Sequence, residues 1–169
     1  MRLARIWSGF WAWYDRNYLL NVSIASLLFG LQLVHLYWLG ADPIASRLAG
    51  ESLFSPHGLL RFLIFFVDYS EIPALLAVSL VYVNELRRGL SWKPLLLLLF
   101  LNSQWLHIFW ITDEYVTGQL SDGSALPPFL AWVAILIDYL ELPVIYDTLK
   151  RLATALRERR APSRVPARG

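Results

Sequence analysis

Long apolar runs separated by short polar connections dominate the pattern of this chain. Four runs are long enough to cross a bilayer, at about 20 residues each. They predict helices at residues 18–39, 59–85, 94–112 and 128–149. Prolines at the starts of the last two helices, Pro94 and Pro128, suit a first helical turn, where a missing backbone N–H costs little. The pattern therefore predicts an all-α integral membrane protein with four transmembrane helices.

Composition supports this class, because 57% of the 169 residues are hydrophobic, too many for an ordinary soluble domain. The chain has no cysteine, which excludes disulfides and thiolate metal ligands. Residues 1–16 are basic and rich in tryptophan, and they lack the continuous apolar stretch and small-residue cleavage site of a signal peptide. We expect this arm to lie at the membrane interface.

The positive charges lie mainly on one side of the predicted spans. Thirteen of the 15 Lys and Arg residues fall in the N-terminal arm, in the connection between the second and third helices, or in the tail 150–169. Because Lys and Arg mark cytoplasmic segments, both termini are predicted to be cytoplasmic, in an inner or plasma membrane crossed several times. The tail is predicted to start as a basic surface helix and to end disordered.

Two short motifs each occur twice, in the same order. Gln-x-x-His-aliphatic-aromatic-Trp occurs at Gln32 and at Gln104, and aliphatic-Asp-Tyr-x-Glu-aliphatic-Pro places its aspartate 36 and 34 residues later, respectively. Residues 17–86 and 87–149 are therefore predicted to be copies of one two-helix hairpin. Two hairpins of the same orientation can be related by a pseudo-twofold axis along the membrane normal. Packed together, they predict a four-helix bundle.

The repeated motifs carry polar side chains deep into apolar helices. Residues three apart share a helix face, so each Gln-x-x-His pair and each Asp-x-x-Glu pair points in one direction. At ~1.5 Å per residue, the histidines lie roughly 10 Å and the aspartates roughly 15 Å from the loop-side helix ends, in one layer. The candidate metal ligands of that layer are His35, Asp68, Glu71, His107, Asp138 and Glu141.

Four further residues of the motifs are assigned supporting roles. Gln32 and Gln104 are expected to fix the imidazoles by hydrogen bonding rather than to bind metal themselves. Tyr69 and Tyr139 are interpreted as aromatic side chains that pack beside the ligands rather than as redox centres.

A proline follows each acidic pair. Pro73 and Pro143 cannot donate to the carbonyl four residues back, so each predicts a helix kink beside the acids. Broken backbone at membrane depth is tolerated where it lines a protein-buried or wet cavity. Four ionised carboxylates at that depth would cost on the order of 10 kcal/mol, so protons or a metal ion must relieve them.

Three functions fit this polar layer. The first is a dinuclear centre of two iron, manganese or zinc ions, because two histidines and four carboxylates are the ligand set of the di-iron carboxylate bundles. Those bundles hold Glu-x-x-His within one helix, whereas here the histidines and the acids lie on different helices. Iron or manganese would indicate a membrane metalloenzyme that oxidises a lipophilic substrate, and zinc one that activates water.

The second function is a proton or divalent-cation transporter or sensor that uses the same layer. The third is a b-type haem held by His35 and His107, although a haem pocket requires space and apolar walls that four acids do not supply. The expected partners are the lipid bilayer and, on the basic side, anionic lipids. A homo-oligomer is expected for the transport alternative, since four spans are few for alternating access, and no nucleic-acid partner is expected.

Overall fold

The computed structural model describes the backbone of three segments, residues 2–54, 57–120 and 128–160. Within them, a few side chains lie outside the description, those of residues 3, 4, 61, 65, 68, 110–120 and 128. The described elements are all helical, without a strand, which confirms the predicted all-α class.

Eight α-helices follow one another through the described segments. They are α1 Arg2–Arg16, α2 Tyr18–Leu39, α3 Ala45–Ala49, α4 Leu59–Tyr69, α5 Glu71–Arg88, α6 Trp92–Leu120, α7 Pro128–Tyr139 and α8 Glu141–Arg160. A π-helical turn, Gly40–Ile44, connects α2 to α3 and contains Pro43. Gly50 ends α3 with a φ of 78°, a left-handed conformation that glycine adopts without steric cost.

Two pairs of helices are nearly continuous, and a single residue interrupts each pair. Ser70 separates α4 from α5, and Leu140 separates α7 from α8. Each interruption lies three residues before a proline, Pro73 or Pro143, which lacks the N–H that the carbonyl one turn back would accept. After each interruption, the next helix begins with a glutamate, Glu71 in α5 and Glu141 in α8.

The long helices pack around one apolar core. Helix α2 contacts α5 and α8, and α6 contacts α5, α7 and α8. Helices α2, α5, α6 and α8 supply fully buried core side chains, among them Phe29, Leu75, Leu101 and Val144. We call the end of the bundle with α1, the α5–α6 connection and the last turns of α8 the terminal end. The opposite end, with the π-helical turn, is the loop end.

Apolar side chains cover much of the outside of the bundle, while polar side chains lie inside it. Leu27, Leu99 and Leu136, from three different helices, are 71%, 66% and 64% exposed. Two helical stretches, Tyr18–Ala49 and Phe129–Arg160, are 32 residues long each and are apolar enough to cross a membrane. By length and composition, two helices thus qualify as membrane spans.

Candidate metal centre

Helices α2 and α6 each bring one Gln-x-x-His pair into the bundle interior. Gln32 and His35 lie on one face of α2, and Gln104 and His107 lie on one face of α6. All four side chains are buried. The two imidazole rings are arranged edge to face, with their centroids 6.3 Å apart and their planes inclined by 73°. The two histidines, 72 positions apart in the sequence, therefore share one site.

Asp138, in the last turn of α7, contacts both histidines. Its Oδ1 lies 3.0 Å from Nδ1 of His107, and its Oδ2 lies 3.6 Å from Nε2 of His35. One ligand atom from each of these three buried residues lies within 4.8 Å of the other two. Two ligands of a single ion, bound at about 2.0–2.2 Å, can be no more than about 4.4 Å apart. His35, His107 and Asp138 could therefore hold a metal ion with little rearrangement.

Glu71 and Glu141 extend this group toward the terminal end. They occupy the first positions of α5 and α8, immediately after the two helix interruptions, and both are buried. Their carboxyl groups share a hydrogen bond, and both interact electrostatically with Asp138 and His35. A hydrogen bond between two carboxyl groups requires a proton on one of them. The described cluster thus contains three acids and two histidines.

Several buried oxygen atoms of this cluster have no hydrogen-bond partner among the described residues. They are Oε1 of Glu71, Oε1 of Glu141, Oδ2 of Asp138 and Oε1 of Gln104. A buried acceptor without a donor costs about 1–3 kcal/mol. In the described part of the chain, the basic side chains paired with the cluster are the two histidines. A bound cation or additional protons would satisfy these oxygens.

The two glutamines hydrogen-bond to the backbone at the helix interruptions. Nε2 of Gln32 donates to the carbonyl of Val67 at 3.3 Å, and Nε2 of Gln104 donates to the carbonyl of Ile137 at 2.7 Å. Each carbonyl belongs to the residue just before the aspartate of an Asp-Tyr-x-Glu motif. The sequence suggests that the glutamines orient the imidazoles, but their amide N–H groups bind the backbone that presents the acids.

Both carbonyls also accept the N–H at the interruption itself. The Ser70 N–H donates to Val67 at 3.0 Å, and the Leu140 N–H donates to Ile137 at 2.9 Å. The hydroxyl of Ser70 also accepts a hydrogen bond from Nε2 of Gln32 at 3.3 Å. Each interruption is therefore held from a neighbouring helix by one buried glutamine.

Tyr139 connects α7 to α2 beside the histidines. Its hydroxyl donates to the carbonyl of Leu36 at 3.4 Å and lies 3.2 Å from the position that a Cβ on Gly40 would occupy. Gly40 therefore leaves room for this phenol at the start of the π-helical turn. Tyr69 is half-buried at the end of α4.

Three further residues of the Asp-Tyr-x-Glu motifs, one predicted ligand and two predicted kink prolines, lie in or next to the interrupted helices. Asp68 lies in α4, and its side chain is outside the described residues. Pro73 and Pro143 lie in the first turns of α5 and α8, and both are exposed on the outside of the bundle. They thus shape the backbone near the cluster without contributing a polar group to it.

A further buried acid, Asp147, lies outside the repeated sequence motifs. Asp147 in α8 is 4% exposed and is bound by Lys93, by Nε of Arg151 at 2.6 Å and by the hydroxyl of Tyr82 at 3.3 Å. Arg151 also pairs with Glu85 at 2.5 Å. The four-residue spacing of Asp147 and Arg151 was the one local signal for this group, since such pairs are neighbours on a helix. Its other partners come from distant parts of the chain.

The chemistry of the first cluster can be stated from its donor atoms alone. Two imidazole nitrogens with carboxylate oxygens form a mixed N/O set that suits iron, manganese or zinc.

No protein-family model, curated protein or solved structure matches this chain.

Proposed function

We propose that this chain is a membrane metalloprotein whose metal centre is bound by His35, His107 and Asp138. One observation carries the proposal: buried carboxyl and amide oxygens that lack donors lie around two neighbouring histidines. Protein interiors rarely leave acceptors unsatisfied, and a divalent cation binds several of them at once. A cation is also the simplest way to offset acids buried away from water.

The membrane setting is supported by the distribution of side chains. Two helices are long and apolar enough to span, and large apolar residues project outward from α5 and α6 as well, including Leu76 and Leu99. Acids and histidines inside such helices face the bundle interior, as expected for polar groups in membrane proteins. We propose four spans with both termini on the cytoplasmic face, because Lys and Arg concentrate at the terminal end.

The duplicated hairpin is supported by two matching sets of hydrogen bonds. Gln32 binds the Val67 carbonyl in its own half of the chain, and Gln104 binds the Ile137 carbonyl in the other half. Both carbonyls precede an Asp-Tyr-x-Glu motif, and both helices are interrupted at the same place in that motif. Unrelated helices would not be expected to share this local geometry. We propose that each half is one copy of the same metal-binding hairpin.

We further propose that the centre is dinuclear. Glu71, Glu141 and Asp138 lie next to the histidines, and Asp68 is one residue past the carbonyl that Gln32 binds. Four carboxylates carry a charge of about −4, which two divalent ions would balance. With iron or manganese the site would oxidise a lipophilic substrate, and with zinc it would activate a water molecule for hydrolysis.

The other two hypotheses fit the described residues less well. A transport route would need polar groups on both sides of the cluster, but the described interior on its terminal side is apolar, including Phe29, Val78 and Leu101. A haem between His35 and His107 would need the space that the Asp138 carboxylate occupies between them.

Metal analysis of the purified chain tests the proposal. We expect about two transition-metal ions per chain after reconstitution with iron(II), manganese(II) or zinc(II), as in dinuclear carboxylate sites. His107→Gln should remove most of the metal because a ligand is lost, whereas Asp147→Asn should retain it. Absence of bound metal under all three conditions would refute the metal centre. Proton or cation flux in liposomes would then favour transport, and a Soret band lost in His107→Gln would favour haem.

A further inference from the structure

The two glutamines of the repeated motif differ in what their amide oxygens meet. Both side chains are buried, Gln32 at 1% and Gln104 at 0% exposed, and both donate through Nε2 to the backbone before an Asp-Tyr-x-Glu motif. Oε1 of Gln104 is buried without a hydrogen-bond partner among the described residues, whereas Gln32 leaves no such oxygen. The repeat therefore has one unsatisfied amide oxygen, and it belongs to the second half of the chain.

The orientation of the Gln104 amide is fixed by the atom that it binds. Its hydrogen bond to the Ile137 carbonyl is 2.7 Å long. A carbonyl oxygen can only accept a hydrogen bond, so the amide nitrogen must face Ile137 and the amide oxygen must point elsewhere. Rotating the amide by half a turn would put two oxygens against each other. Oε1 therefore cannot gain a partner without the loss of this hydrogen bond.

An amide oxygen also differs from the carboxyl oxygens of the cluster, because glutamine takes up no proton. Its oxygen remains an acceptor and requires an N–H group, an O–H group or a cation. The hydrogen bond between Glu71 and Glu141 joins those two carboxyl groups to each other. Buried acceptors without any partner are rare in proteins. The Gln104 oxygen therefore indicates a bound group that the chain itself does not supply within its described part.

The Gln104 amide lies beside two of the three candidate metal ligands. His107 follows it by one helical turn on the same face of α6. Ile137, whose carbonyl it binds, directly precedes Asp138 in α7. Oδ1 of Asp138 lies 3.0 Å from Nδ1 of His107, while its Oδ2, like Oε1 of Gln104, has no hydrogen-bond partner. Gln104, His107 and Asp138 therefore form one contiguous polar group.

We propose that Oε1 of Gln104 is a further ligand of the metal ion that His107 and Asp138 bind, and that it favours manganese(II) or iron(II) over zinc(II). This inference rests on the proposed function and adds a ligand and a choice of metal to it. Carbonyl oxygens suit metals that take more than four ligands, whereas protein zinc sites are mostly four-coordinate. A buried water molecule would also donate to this oxygen, and the experiments distinguish the two occupants.

Two matched variants separate the amide oxygen from the backbone hydrogen bond. Gln104→Leu loses both, whereas Gln32→Leu loses the corresponding backbone bond alone. Metal-free, full-length protein in micelles would be titrated with manganese(II) and with zinc(II) against a competing chelator. We expect Gln104→Leu to bind manganese(II) at least about ten-fold more weakly than Gln32→Leu, and to lose less affinity for zinc(II). Equal manganese(II) affinities in the two variants, or equal losses for the two metals, would overturn the inference.

Gln104→Glu tests the same point by rescue, since it keeps an oxygen at this position and loses the N–H donor. It should bind manganese(II) at least as tightly as Gln32→Leu. Weaker binding, at the level of Gln104→Leu, would show that the backbone hydrogen bond and not the oxygen matters.

A spectroscopic measurement tests the metal–oxygen contact itself. Glutamine labelled with ¹³C at the side-chain carbonyl would be incorporated, and electron–nuclear double resonance would be recorded on the manganese(II)-loaded protein. We expect a ¹³C coupling that is kept in Gln32→Leu and lost in Gln104→Leu. Bound manganese(II) without this coupling would refute the ligand and leave the metal centre standing, as a water molecule at Gln104 would. Protein that binds no metal would refute both.

Discussion

The bundle buries acids in two layers, and the layers differ in the cations that face them. Asp147, near the terminal end, is bound by Lys93 and Arg151, and its carboxylate has its hydrogen bonds satisfied. Asp138, deeper in the bundle, is paired with two histidines and retains an oxygen without a hydrogen-bond partner. The two aspartates are almost equally buried, at 4% and 3% exposed. Asp147 faces lysine and arginine, whereas Asp138 faces histidines.

The difference in partners indicates different roles for the two aspartates: Asp147 joins helices, and Asp138 is a candidate metal ligand. Fixed cations supplied by the chain make the Asp147 layer complete, so it joins helices and requires no further partner. The Asp138 layer contains three described acids, and its described basic partners are imidazoles, which carry charge only when protonated. It becomes complete when protons or a metal ion are added. Substitutions at the two aspartates should therefore have opposite consequences.

The largest expected effect is loss of metal in Asp138→Asn. The amide keeps the size of the side chain but removes the negative charge and one ligand oxygen between the two histidines. We expect metal content to fall to near zero, measured by inductively coupled plasma mass spectrometry, while Asp147→Asn retains the full content. Equal metal loss in both variants would show that the two layers are not functionally distinct.

Stability should respond in the reverse order. Asp147→Asn leaves Lys93 and Arg151 facing a neutral amide, and we expect unfolding free energy to fall by about 2 kcal/mol. This is below the full cost of a broken buried pair because the Lys93 side chain is 65% exposed. The metal-free form of Asp138→Asn should change by less than about 1 kcal/mol, because Asn still accepts a hydrogen bond. Denaturant unfolding in micelles measures both variants.

A smaller effect is expected where Tyr139 crosses to α2. Gly40→Ala places a methyl group 3.2 Å from the Tyr139 hydroxyl and should shift this phenol away from the backbone next to His35. Disturbing groups that position a ligand typically weakens metal binding by about ten-fold or more. Gly30→Ala, in α2, is the matched control, because its added methyl group would meet no neighbouring group within 4 Å.

Both glycine substitutions gain similar helix propensity, about 0.8–1.0 kcal/mol, so their difference isolates the contact with Tyr139. Metal titration of each variant followed by competition with a chelator gives the affinities. If Gly40→Ala and Gly30→Ala bind metal with equal affinity, the Tyr139 contact does not position the cluster.

The smallest effect concerns the docking of α1 at the terminal end. The hydrogen bond from Arg88 keeps the pKa of Asp15 below its ordinary value of 3.8, with Asn84 and Arg87 adding to it. A lowered folded pKa contributes stability that is present above the unfolded value and is lost as pH falls through the folded one. We therefore expect α1 to loosen below about pH 4, seen as faster hydrogen exchange in its backbone amides.

Asp15→Asn should remove this pH dependence, because no carboxylate remains to be protonated. Arg5→Gln, which changes charge on the same helix without touching Asp15, should preserve it. An unchanged acid response in Asp15→Asn would assign the loosening to another group. Metal content should stay constant in both variants, since α1 lies at the terminal end, away from the candidate metal ligands.

Much of the fold class could be predicted because helical periodicity and apolar length are local properties. The all-α class is confirmed, and Tyr18–Ala49 and Phe129–Arg160 have the length and composition of spans. The interruptions at Ser70 and Leu140 also have a local cause, since Pro73 and Pro143 lack the N–H that would continue each helix. Four spans, the repeat and the cytoplasmic termini remain predictions.

The candidate site could be predicted only in part. The three-residue spacing within each motif requires a shared helix face, so the glutamines and histidines lie together in α2 and in α6. The sequence did not indicate that Gln32 and Gln104 donate to the backbone carbonyls of Val67 and Ile137. These hydrogen bonds depend on the distance between neighbouring helices. The spacing of residues within one helix does not determine that distance.

Residue order alone predicts long apolar helices that carry repeated polar motifs at similar depth, because both properties follow from positions along one helix. Packing between helices places Asp138 between His35 and His107 and brings Lys93 to Asp147. Those pairings join residues from different helices. They follow from the packing of apolar surfaces such as those of Phe29 and Leu101, which sets the distance and rotation between helices.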